Sequence, residues 1–254
     1  MNMPNPLHQV PTKLGREPLI DAVFEMRFSS GVAVGSILPG ILFSALQGKK
    51  SIEPTPIMSM PKEVREMDPN LRFAPLFKLG WDRYWVFVGD NSCSVSSKLP
   101  YAGWSNLRSA IYEVMSIACS SGLIDSVNRY SMKYIDIISH ELDLPASEVF
   151  TLNLGIGDKT TINDYEIRVS FTQKNFEHSI RLISDATTQL IGESKPRQGK
   201  VIDIDSFANI GGESAEIFLA KIIDRSDEIH KASKEIFFEC LSERALNWLE
   251  PSYE

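Results

Sequence analysis

Period-two and period-3.6 patterns follow one another along the chain, and they predict its elements. Between Leu19 and Phe28, the residues Ala22, Phe24, Met26 and Phe28 alternate with Val23, Glu25 and Arg27, the signature of a half-buried strand. Ser29, Ser30 and Gly31 end it. Ile37, Leu38, Ile41, Leu42 and Leu46 recur at helical spacing, which predicts a helix with Ser36 as N-cap, Pro39 in its first turn and Gly48 at its end. Residues 49–70 carry Pro54, Pro56, Pro61 and Pro69 and read as a long surface connection. Strand-like runs follow at 72–79, 83–88 and 92–97, separated by turn-forming Gly80-Trp81-Asp82 and Gly89-Asp90-Asn91. They predict an antiparallel meander in which Pro75 marks an edge or a bulge.

Residues 101–121 predict a helix with Leu107, Ile111, Val114, Met115 and Ala118 on one stripe and Gly122 at its end. The run 129–139 reads as a strand whose alternation shifts between Tyr134 and Ile135, so that both faces are covered or a bulge intervenes. Pro145 opens a short helix over 145–152. Strands are predicted at 165–172, 179–186 and 200–207, with a hairpin loop at 173–178 and a longer connection at 187–199. Ser214 caps a long helix that keeps Ile217, Leu219, Ile222, Ile229, Ile236 and Phe237 on one side. Residues 243–249 continue or kink it before Pro251.

The order of elements recurs: 19–122 and 128–241 each read strand, helix, three strands, helix. The expected fold class is α+β, with two pseudo-repeated halves and antiparallel sheets whose long helices pack on one face. The expected division is an extended N-terminal tail (1–18), a first half (19–127) and a second half (128–254) with the long C-terminal helix. The halves join edge to edge or pack as two domains. Helices on one side leave the other sheet face free, and that face is the expected binding surface.

Charge adds an asymmetry. The 254 residues hold 26 Lys and Arg against 33 Asp and Glu, but residues 1–127 are at +1 and residues 128–254 at -8. That acidity disfavours nucleic acid as a partner, since phosphate neutralisation needs clustered cations. No apolar run approaches the roughly 20 residues of a membrane span, and residues 1–11 carry three prolines and no apolar leader core. Cys93, Cys119 and Cys240 stand far apart in apolar surroundings and read as reduced, buried thiols of a cytoplasmic protein.

Candidate chemistry is sparse. Asp203 and Asp205, two apart on a strand, put both carboxylates on one face and form a weak candidate for a hard cation such as Mg²⁺; the alternative is a solvated strand face. His8, His140, His178 and His230 have no metal-ligand spacing: His178 falls in the predicted hairpin loop and His230 among polar helix residues. Gly155-Ile156-Gly157 lacks the remaining residues of a phosphate loop and reads as a turn. Arg83, Trp85 and Phe87 crowd one hairpin and, with Arg129, could stack a base or anchor a protein partner on an open sheet.

The stretch from Leu14 through Glu17, Ile20-Asp21-Ala22-Val23 and on to Phe28 resembles the opening motif of a sporadically distributed prokaryotic family of unknown function and similar length. The resemblance continues at Tyr101-Ala102-Gly103-Trp104, at Arg129-Tyr130 and Tyr134-Ile135, at Val201 to Asp205, and at His230 with Phe237 and Phe238. Glu17 stands where that family commonly has a proline, and Ser131-Met132-Lys133 interrupts its compact Arg-Tyr strand. The family carries no established catalytic residue; its patchy distribution implies a defence-linked context. With no cofactor motif and no catalytic constellation, the expectation is a non-enzymatic interaction protein, an antitoxin-like or immunity-like accessory. Its acidic half would suit a basic protein partner, and a homo-oligomer is compatible. The competing expectations are a nucleotide- or nucleic-acid-binding sheet and a metal-dependent enzyme at Asp203 and Asp205.

Overall fold

The computed structural model describes residues 10–69, 71–159, 164–190 and 195–253. His8, half of the expected N-terminal tail and part of the expected 187–199 connection lie outside the described residues.

The chain builds the expected α+β architecture around one antiparallel sheet. Its strands are β1 (Lys13–Leu14), β2 (Leu19–Ser29), β3 (Lys50–Pro54), β4 (Phe77–Trp81), β5 (Tyr84–Val88), β6 (Ser92–Ser97), β7 (Ser126–Ser139), β8 (Glu166–Gln173), β9 (Phe176–Thr188), β10 (Arg197–Glu213) and β11 (Pro251–Ser252). The helices are α1 (Val34–Ala45), α2 (Lys62–Met67), α3 (Trp104–Ser120), α4 (Ala146–Val149), α5 (Ala215–Ala220), α6 (Ile222–Cys240) and α7 (Glu243–Trp248). Nine strands form one sheet in the order β3-β4-β5-β6-β2-β7-β10-β9-β8. The sheet runs unbroken across residue 128, because β2 and β7 pair antiparallel at its centre. Likeness between the halves stops at element order: the first adds β3, and the terminal helix of the second breaks at Lys221 into α5 and α6.

Side-chain alternation assigns the two faces. Phe24, Met26, Tyr130, Met132, Val95, Ile202, Ile204, Ile180 and Leu182 point to one side and are buried. Helix α1 packs over β3, β4 and β5, α3 over β6, and α6 over β7, β9 and β10, all on that side. The main core spans both halves, joining Leu107 and Ile111 of α3 to Phe176, Phe218 and Ile229. A second core lies around Val149, Phe150, Phe237, Leu241 and Leu249.

Several boundaries depart from the pattern-based expectation. Helix α1 begins at Val34, so Pro39 lies inside it and Ser36 is not its N-cap. The proline-rich connection contains an edge strand, β3, which tolerates Pro54 because only its other side pairs. His178 belongs to β9, not to a loop, and is 1% exposed. Ser214 caps α5 as expected, its hydroxyl accepting from the Ile217 amide at 3.3 Å. The N-terminal segment is held by the chain's other end: Lys13 pairs with Ser252 and Leu14 with Pro251. Arg16 adds an ion pair to Glu250 at 3.0 Å and lies over the Trp248 ring at 4.5 Å.

Candidate functional site: an aromatic cavity with a buried carboxyl

The register of β7 places Tyr130, Met132, Tyr134, Asp136 and Ile138 on the helix-covered face, opposite Ala208, Ser206, Ile204, Ile202 and Lys200 of β10. The pairing with β10 is regular throughout this stretch. The irregularity falls on β2 instead, whose register against β7 shifts between Leu19 and Asp21. The apolar alternation of β7 is broken because a polar residue, Asp136, stands on the buried face while Ile135 and Ile137 stand on the other.

Asp136 lines a cavity of about 490 Å³ bounded by the sheet, α6, the turn before α3 and the N-terminal segment. Its side chain has no hydrogen-bond partner among the described residues, and the residue is 5% exposed. Burial, with Glu17 nearby, pushes its carboxyl well above the usual range. Glu17 lies at the rim, open to solvent on its outer side, and the apolar surface packed around its carboxyl raises it too. Lys234 on α6 is lowered by burial and feels the opposing pull of Glu17.

The remaining wall is aromatic. The indole of Trp104 stacks on the His230 ring at 4.1 Å and 9°, and its Nε1 donates to Asp227 at 2.7 Å. Arg108 holds the same carboxylate at 2.6 Å, fixing α3 against α6. His230 Nδ1 and the Tyr134 hydroxyl share a hydrogen bond of 2.7 Å. Burial lowers His230 to about 4, which keeps the imidazole neutral. The buried Tyr101 hydroxyl faces Tyr134 without a hydrogen bond of good geometry. Phe237 and Phe238 close the α6 side. Beneath Ser233, a polar string runs through Ser206 to His178, with links of 2.9 and 2.8 Å.

The residues singled out from the sequence lie elsewhere, on the opposite face of the sheet. Trp85 and Phe87 project from β5 there, with Lys78 and Lys98 over the Trp85 ring at 3.8 and 4.0 Å. Arg83 does not join them; it sits exposed in the turn between β4 and β5. Arg129 shares their face but lies three strands away, at least about 14 Å at ordinary strand spacing. It stacks over Phe207 at 3.8 Å and pairs with Asp205 at 3.1 Å. Asp203 pairs with Lys133 at 3.1 Å. Both carboxylates thus face protein cations, and among the described residues no group of three or more His, Cys, Asp or Glu could hold a metal ion. No described helix is long and apolar enough to cross a membrane.

Compared with known proteins, the chain matches no family model and no curated sequence. Sequence reasoning passed over Asp136 and placed His230 in solvent; the structure puts His230 against Trp104 instead. The signal for Asp136 was the broken alternation of its strand. Leu14, Glu17, Tyr101, Trp104, Tyr134, His230, Phe237 and Phe238 line this one cavity.

Proposed function

We propose that the protein is a binding protein for a small molecule held in the cavity beside Asp136. The unpartnered, buried Asp136 carboxyl carries this reading. The carboxyl has no protein partner and opens onto the cavity, so a ligand there can supply the hydrogen bond or counter-charge that the protein does not. Size and lining agree: apolar, aromatic walls with few convergent polar groups are what ligand sites present. Binding is favoured over catalysis because neither the Tyr134 hydroxyl nor His230 is free to act on an occupant. The Tyr134 hydroxyl is held far above its usual titration range, and His230 is already engaged with it.

The test is amide NMR of the whole protein against a fragment collection of amines, carboxylates, sugars and nucleosides. We expect at least one class to move the signals of residues 101–104, 134–136 and 230–238. Ala102→Trp, which fills the cavity from its wall, should abolish the effect. Shifts confined to other regions, or unchanged binding in Ala102→Trp, would overturn the reading.

A second reading, the interaction protein expected from the sequence, is supported by the uncovered sheet face. Val23, Trp85, Phe87 and Ile135 remain only half-buried there, although no helix packs over them. The charges on this face are largely self-paired, as in Glu25–Arg27 at 2.5 Å and Arg181–Glu166 at 2.8 Å, which suits a protein partner better than a nucleic acid. The two readings are compatible, since they use opposite faces of the sheet.

A further inference from the structure

The cavity contains two carboxyls and one inward ammonium, and their arrangement bears on what it takes. Among the described residues, Lys234 and Lys13 are the cations of its lining, and Lys13 is exposed on β1. The charge that Lys234 feels is that of Glu17, at the rim. Asp136, deeper on the sheet between Leu19 and Ile202, is left with no protein cation. Tyr101, Trp104 and Phe237 line the same cavity, and aromatic rings attract an ammonium. An anionic occupant would meet two carboxyls; a purely apolar one would leave Asp136 as it is.

We propose that the cavity takes an organic cation, a primary or substituted ammonium on an apolar, ring-sized body, with Asp136 as its counter-charge. This rests on the small-molecule reading of the cavity and names the ligand class. On binding, R–NH3+ pairs with Asp136–COO−, and any proton that the raised carboxyl holds in the free protein leaves to solvent. The titratable groups coupled to Asp136 are Glu17 from the N-terminal segment, Tyr134 on its own strand and Cys240 on α6, and Tyr101, His230 and Lys234 line the same cavity.

Isothermal titration calorimetry of the full chain with tryptamine, its neutral isostere tryptophol and the anion indole-3-acetate tests this, at pH 7.5 in two buffers of different ionisation enthalpy. Tryptamine should bind at least tenfold tighter than tryptophol, and Asp136→Asn should erase that preference together with any buffer-dependent proton release. Tryptophol binding as well as tryptamine would overturn the cation inference and leave the small-molecule reading standing. Indole-3-acetate binding tightest would overturn it in favour of Lys234 as the anchor. No binding by any of the three would count against the cation inference, and with an empty fragment survey against the cavity reading as well. Should Asp136→Asn fail to fold, the tryptamine-to-tryptophol ratio on the wild type still decides.

Discussion

Asp136 stands between Leu19 and Ile202 on a sheet face that is mostly apolar. Its raised pKa has a consequence for stability. An unfolded Asp titrates at about 3.9, so above that pH the unfolded chain has released a proton that the folded protein keeps. Stability therefore falls as pH rises from about 4 towards the folded pKa, by up to about 1.4 kcal/mol per pH unit. His230 acts in the opposite sense: lowered to about 4 in the folded state, it favours folding as pH rises towards about 6.5. Urea denaturation of wild type and Asp136→Asn across pH 4.5–8 separates the two. The variant's stability relative to wild type should grow with pH until the folded pKa is passed; a constant difference would show that Asp136 is ionised in the folded protein. At this scale the sequence was least informative. A charged residue on a core face looks like a flaw in a pattern, and only the register across β2 and β10 shows that it faces a cavity. Arg83 misled for a related reason: its spacing from Trp85 suggested a shared face, but a turn does not keep strand alternation.

At the scale of elements, pattern and structure agree wherever one face of an element is buried and the other is not. Strands β2 and β5 and helix α3 lie within a few residues of their expected bounds for that reason. Edge strand β3 was hidden because four of its five residues are exposed and it ends on proline, so it has no apolar alternation to read. Helix α1 keeps Pro39 within it because Val34, Leu38 and Leu42 pack into the core on both sides of the proline. One small residue is dictated by strand packing alone. A Cβ at Gly199 would collide with the Ile138 carbonyl oxygen where β10 crosses β7. Gly199→Ala should cost on the order of 2–4 kcal/mol, measured by thermal or urea unfolding. A loss below about 0.5 kcal/mol would mean that the two strands separate there at little cost.

For the whole molecule, the expected boundary near residue 128 is crossed by both the sheet and the core. The β2–β7 pairing joins the halves, and Phe176, Phe218 and Ile229 share a core with Leu107 and Ile111. A chain divided at 127/128 should therefore yield two fragments that do not fold separately, and the intact chain should unfold in one transition by circular dichroism. Two transitions, or a folded fragment, would show that the halves are independent units. The joining of the chain's two ends acts on a smaller energy scale. Only two residue pairs form the β1–β11 ladder, yet the segment it secures, from Pro11 to Leu14, is also a wall of the aromatic cavity. So short a ladder opens far more often than the nine-stranded sheet does. Should the proposed ligand enter past this wall, its release would follow the opening of the few backbone hydrogen bonds that hold the segment.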